Sequence, residues 1–161
     1  FGEWKQEKKP PMLTAKGAVA GKKSVLVLPN TYMNNSGRAV AHFVKSKKDA
    51  GKTIVVYDDM DLPLGTIKIS HDRSSGGHNG VESVIRALKT RAFVRIRIGV
   101  SPKGAKGVAK KPNGEERVLK FLLGKFTPAE TAELKKVFKR ATEMVEEIVV
   151  NGYHAAMTKF N

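Results

Sequence analysis

Short apolar runs alternating with amphipathic stretches are the feature that most limits what this chain can fold into. Ser24-Val25-Leu26-Val27-Leu28 is nearly all apolar, as in a strand buried on both faces, and Pro29 ends it. Met12–Ala20 and Lys23–Leu28 predict a hairpin turning at Ala20-Gly21. Ser36 and Gly37 lead into a helix with Ala39, Val40, Phe43 and Val44 on one stripe, and Lys45–Lys52 reads as a basic loop. Thr53–Tyr57 reads as another buried strand, stopped by Asp58-Asp59 and Pro63. Thr66–Ser70 alternates Ile67 and Ile69 against Lys68, the pattern of a half-buried strand. Val81, Val84, Ile85 and Leu88 mark a second amphipathic helix. Phe93–Val100 is a strand with Val94, Ile96, Ile98 and Val100 on one face and Arg95 and Arg97 on the other. Strands alternating with helices predict one α/β domain over residues 1–161, in three layers, with a mixed twisted sheet flanked by helices.

Ser101–Glu116 holds Pro102, Gly104, Gly107, Pro112 and Gly114 and is expected to be a mobile loop. Arg117–Leu123 fits either a short strand or a turn of helix. Thr127-Pro128-Ala129-Glu130 is a capping box with Pro at the first helical position. The helix it opens carries Leu134, Val137, Phe138, Ala141, Met144, Val145 and Ile148 at helical spacing, with Asn151-Gly152 as its expected stop.

Charge narrows the function. Thirty Lys+Arg against 15 Asp+Glu give a formal net charge of +15, which favours a polyanionic partner, nucleic acid first. The duller readings are solubility or an organism rich in Lys. Lys residues recur in Lys5–Lys9, Lys45–Lys52 and Lys103–Lys111, which suits a broad face meeting phosphate without reading bases. No run of apolar residues reaches membrane-spanning length. With no Cys, disulfides and Cys-ligated metals are excluded, and a reducing compartment is suited, the cytoplasm or an organellar matrix.

Three polar segments sit at strand-to-helix crossings, where open α/β sheets place their sites. They are Asn30–Gly37, Asp58–Pro63 and Gly76–Gly80. Singly, each has a plain structural explanation: Asn and Ser cap helices, Asp ends strands, and Gly-Gly supplies positive φ. Together they point to a shared cleft. Asp58-Asp59-x-Asp61 lacks the Gly and distal Glu of a calcium loop, so no metal is expected. Gly76–Gly80 lacks the Gly-Lys-Ser/Thr of a phosphate loop. His71 and His78 have no evident Ser or Cys partner for a triad.

In order and spacing these segments resemble the bacterial-type peptidyl-tRNA hydrolase family. The resemblance rests on Leu28–Gly37, Val56–Gly65, Ser75–Gly80 and Phe93–Gly99, and extends through Val118–Phe126 and the C-terminal helix. It implies a cofactor- and metal-independent esterase, acting as a cytoplasmic monomer in translation, that cleaves peptide from the 3′ end of tRNA. By the resemblance Asn34 and Asn79 hold the ester end and the attacking water, and Asp58 backs a catalytic His. Tyr32, Met33, Gly77 and His78 line the cleft, and Arg97, Arg95 and Lys68 meet tRNA phosphate. The family's opening segment carries that His, and none of His42, His71, His78 or His154 takes its place. That segment, which would lie ahead of Phe1, is absent here, so ester hydrolysis by this chain is expected to be very weak or nil. The competing reading is a catalytically inactive RNA-binding relative associated with a ribosome, a ribonucleoprotein or an RNA-processing complex.

Overall fold

The computed structural model describes residues 1–104, 107–112 and 114–161, and the backbone alone of Glu115. Its strands are β1 (Lys5–Lys8), β2 (Pro11–Val19), β3 (Lys22–Pro29), β4 (Ile54–Pro63), β5 (Ile67–His71) and β6 (Val94–Ser101). The helices are α1 (Ser36–Phe43), α2 (Lys47–Ala50), α3 (Asn79–Leu88), α4 (Glu115–Leu122) and α5 (Pro128–Phe160), with a 3₁₀ turn at Met33–Asn35.

There are two three-stranded sheets in place of one. In the antiparallel sheet the order is β1-β2-β3; in the mixed sheet it is β4-β6-β5, with β4 parallel and β5 antiparallel to β6. On one face of the mixed sheet, Ile67, Ile69, Val94, Ile96 and Ile98 pack against Leu134, Val137, Ala141, Met144 and Ile148 of α5. On the other, Val55, Tyr57 and Phe93 pack against Val81 and Val84 of α3. Helix, sheet and helix are the three layers expected of an α/β domain.

Several local expectations hold. The hairpin turns at Ala20 and Gly21, both at positive φ. Thr127 and Glu130 close a reciprocal capping box on α5. Others need correction. β3 and β4 are not buried on both faces: Val25 and Leu28 are 41% and 54% exposed, and Val56 is 49% exposed. Each is an outer strand of its three-stranded sheet, with a single hydrogen-bonded neighbour, so its apolar composition overstates its burial.

β4 also runs on through Asp58-Asp59 to Pro63. Its pairing with β6 shifts register between Asp59 and Pro63, and the shift is accommodated at Gly99. A Cβ there would lie 2.2 Å from the Pro63 carbonyl oxygen. The basic stretch after α1 contains the short helix α2, whose cap is the Asp49 N–H donated to Ser46 Oγ at 3.1 Å. β1 has no apolar alternation and escapes sequence reading.

Arg117–Leu123 resolves as helix, since α4 spans Glu115–Leu122 and so takes in the end of the expected loop. Part of that loop, Ala105, Lys106 and Asn113, lies outside the described residues. Asn151-Gly152 interrupts α5 where a stop was expected: Gly152 takes φ of +85° and ψ of 163°, outside the helical region, and a second helical segment runs on to Phe160.

α1 crosses α3 at Gly37. Its N–H donates to Ser83 Oγ at 3.0 Å. A Cβ on Gly37 would meet the Ser83 carbonyl oxygen at 2.1 Å. Gly37→Ala is therefore expected to cost about 1–3 kcal/mol of stability by overpacking. In thermal unfolding its Tm should fall clearly. Gly51→Ala, whose added carbon meets nothing nearer than 3.6 Å, should change little.

Candidate active site

The Asp58 and Gly76–Gly80 segments meet at one cleft of about 780 Å³, lined by Met33, Asp58, Gly77, His78 and Asn79 among others. β4 delivers Asp58, and the glycine turn that starts α3 delivers His78 and Asn79. Positive φ at Gly76 and Gly77 (60° and 83°) lets the chain fold back into the helix. The opposite wall comes from α4 and the residues after it, Val118 to Phe126. It is largely apolar.

Both ring nitrogens of His78 are engaged in the cleft. Its Nδ1 accepts hydrogen bonds from the Gly80 and Val81 N–H groups at 3.1 and 3.2 Å, so His78 is the N-cap of α3. An acceptor on Nδ1 assigns the ring proton to Nε2, which donates to Asp58 Oδ1 at 3.2 Å. The Tyr57 ring stands edge-on to the imidazole, with centroids 4.9 Å apart. Sequence reading placed His78 as a cleft residue and missed the cap, because His seldom holds that position.

The three clustered aspartates are each engaged. Asp58 pairs with His78; Asp59 accepts from Arg97 Nε at 2.7 Å; Asp61 pairs with Lys111. The hydrogen bond from His78 holds the Asp58 carboxyl below its ordinary value, outweighing burial, which acts the other way. Burial, and then the Asp59 charge, push the Tyr57 phenol up. Burial alone would lower the Arg97 guanidinium, but contact with Asp59 leaves it raised. Among the described residues no three His, Asp or Glu groups are arranged to hold a metal ion.

The other sequence-derived candidates divide. Asn34 lies on the 3₁₀ turn beside Met33, exposed, and Tyr32 is 84% exposed; neither lines the cleft. The turn itself packs on α3, where a Cβ on Gly80 would meet Met33 Sδ at 2.5 Å. Lys68 is exposed and lies opposite Arg97 in the β5–β6 ladder. Arg95 requires a correction. It is fully buried (0% exposed), on a strand covered on both faces, so its guanidinium is closed to a phosphate.

The sequence pattern of the Peptidyl-tRNA hydrolase family matches residues 2–161. The chain belongs to that family. A peptidyl-tRNA hydrolase from Synechococcus sp. (strain JA-2-3B'a(2-13)) is 42% identical over 146 residues, covering 90% of this chain and 61% of the relative. One from Synechocystis sp. is 38% identical over 159 residues, covering 98% of this chain and 77% of the relative. The chain thus spans about three-fifths of the Synechococcus relative's length. The crystal structure of the Acinetobacter baumannii peptidyl-tRNA hydrolase superposes with a TM-score of 0.84 at 28% identity, covering 99% of this chain and 76% of that one.

The Asp58–His78 contact has a pH signature. A carboxyl with a lowered folded-state value stabilises the fold above its ordinary value of about 4, and that contribution fades as pH falls through the folded-state value. Between about pH 5 and pH 2, wild type should therefore lose more stability in urea titrations than Asp58→Asn, which has no such proton to bind.

Proposed function

We propose that this protein hydrolyses the ester joining a peptide to the 3′ end of tRNA, with a water held between Asp58 and Asn79. The reading is carried by the cleft itself: Asp58, ordered by His78, and Asn79 line one groove whose other wall is apolar. Ester hydrolysis needs an oriented water, a proton acceptor and donors for the developing oxyanion. Asn79 and the N–H groups of the glycine turn supply donors. The apolar wall of α4 suits the peptide, and a formal net charge of +15 suits the tRNA, whatever its sequence. Lys68, exposed on β5, is a phosphate contact this reading retains, and so is Arg97, which is partly exposed and gives its Nε to Asp59. This reading takes the protein to act as a monomer in the cytoplasm, where translation supplies such a substrate. No helix among the described residues is long and apolar enough to cross a membrane.

None of the chain's four imidazoles is set up as the general base. Both ring nitrogens of His78 are occupied, and protonating Nδ1 would sever the α3 cap. His71 stacks on Tyr153 with centroids 4.2 Å apart, and His154 lies against the same ring at 4.1 Å. His42 is exposed on α1 beside Phe43.

Two measurements test the proposal. Release of peptide from a peptidyl-tRNA should rise with added imidazole and fall by about 100-fold or more in Asp58→Asn, with tRNA affinity nearly unchanged. Equal losses of rate and affinity would assign Asp58 to binding. No hydrolysis with or without imidazole, but retained tRNA affinity, would favour an inactive RNA-binding relative. In salt titrations, Lys68→Ala should bind tRNA with a log–log slope shallower by about 1.

A further inference from the structure

β6 carries two arginines on one face, and each is engaged by the fold. Arg97 donates through Nε to Asp59, the neighbour of Asp58. Arg95 is wholly buried, with its guanidinium over the Phe93 ring at 4.7 Å. Its Nη1 donates to the Ser74 carbonyl at 2.8 Å and its Nη2 to the Arg73 carbonyl, while Nε has no hydrogen-bond partner. Burial holds its guanidinium pKa below the ordinary value, and no carboxylate among the described residues forms an ion pair with it.

A buried charge satisfied by two carbonyls alone is a costly way to fill space, since an apolar side chain of similar volume would pack there without desolvating an ion. What it gains is a planar fork that fixes two successive carbonyls at once. Those carbonyls lead directly into the catalytic turn. Ser75, the next residue, accepts the His78 N–H at 3.1 Å. His78 then caps α3 and reaches Asp58.

We propose that Arg95 is a positioning residue for the cleft: from β6 it holds the backbone of Arg73 and Ser74, and thereby sets His78 against Asp58. Arg97 sets the facing wall through Asp59. The two guanidiniums hold both polar walls of the cleft to one strand. The consequence for turnover rests on the ester-hydrolysis reading above; the consequence for the His78 ring does not.

The test compares wild type with Arg95→Met and Arg95→Lys, using nitrogen-15 spectra of the His78 imidazole, affinity for uncharged tRNA, and hydrolysis kinetics. Wild type should show one neutral tautomer, protonated at Nε2. In Arg95→Met that signature should give way to averaged tautomers, and kcat should fall at least about tenfold with KM nearly unchanged. Affinity for tRNA should stay within about twofold of wild type. Arg95→Lys keeps the charge and one donor, so its imidazole signature and kcat should lie between the two. It decides the question if Arg95→Met does not fold.

A folded Arg95→Met with wild-type tautomer and kcat would overturn the proposal and leave Arg95 a packing residue. So would Arg95→Lys with both unchanged. A loss of tRNA affinity with the tautomer intact would make Arg95 a phosphate contact. If wild type shows no turnover, the ester reading has failed, while the imidazole signal still reports on the clamp.

Discussion

The site depends on one strand being buried on both faces while still carrying charge. β6 is the middle strand of the mixed sheet, and α5 and α3 cover it from the two sides. Ile96 and Ile98 anchor it to the α5 core. Its other face turns Arg95 and Arg97 toward the ends of β4 and β5, and a guanidinium in that position must satisfy its donors locally. It does so by gripping loops. The hydrophobic layering that makes the domain stable thus also fixes the polar segments between its elements.

Much of this order is legible in the sequence, and the failures have identifiable causes. The amphipathic helices, the hairpin at Ala20-Gly21 and the capping box at Thr127 depend on local periodicity and turn chemistry, which a sequence carries in full. The two apolar runs at β3 and β4 read as central strands because composition reports how apolar a strand is, not how many neighbours it has. Arg95 reads as a surface cation because alternation along β6 assigns one face to the core and one to water. The helix α3 covers the second face, and no local pattern announces that.

The site itself is legible as a set of residue types more than as a geometry. Spacing brings Asp58 and Asn79 to one cleft through the strand-to-helix crossings, as it does Met33, Gly77 and His78. It does not do so for Asn34 and Tyr32, whose segment packs on α3 but turns them outward. Nor does spacing reveal how His78 is used. A histidine next to Asp58 invites reading as a base, and only the two N–H groups on Nδ1 show that it serves as a helix cap.

That cap explains why an acidic group can sit open in the cleft of so basic a chain. Asp59 and Asp61 face cations, so their charges are spent on structure. Asp58 is met by the Nε2–H of an imidazole whose Nδ1 accepts the first N–H groups of α3. The result is a carboxylate that is oriented by a hydrogen bond and held toward its ionised form without a Lys or Arg partner among the described residues. Had Asp58 been paired with Arg or Lys, its charge would be cancelled before any proton moved. Using a helix cap as the partner leaves that charge available, and makes the start of α3 and the electrostatics of the cleft one and the same interaction.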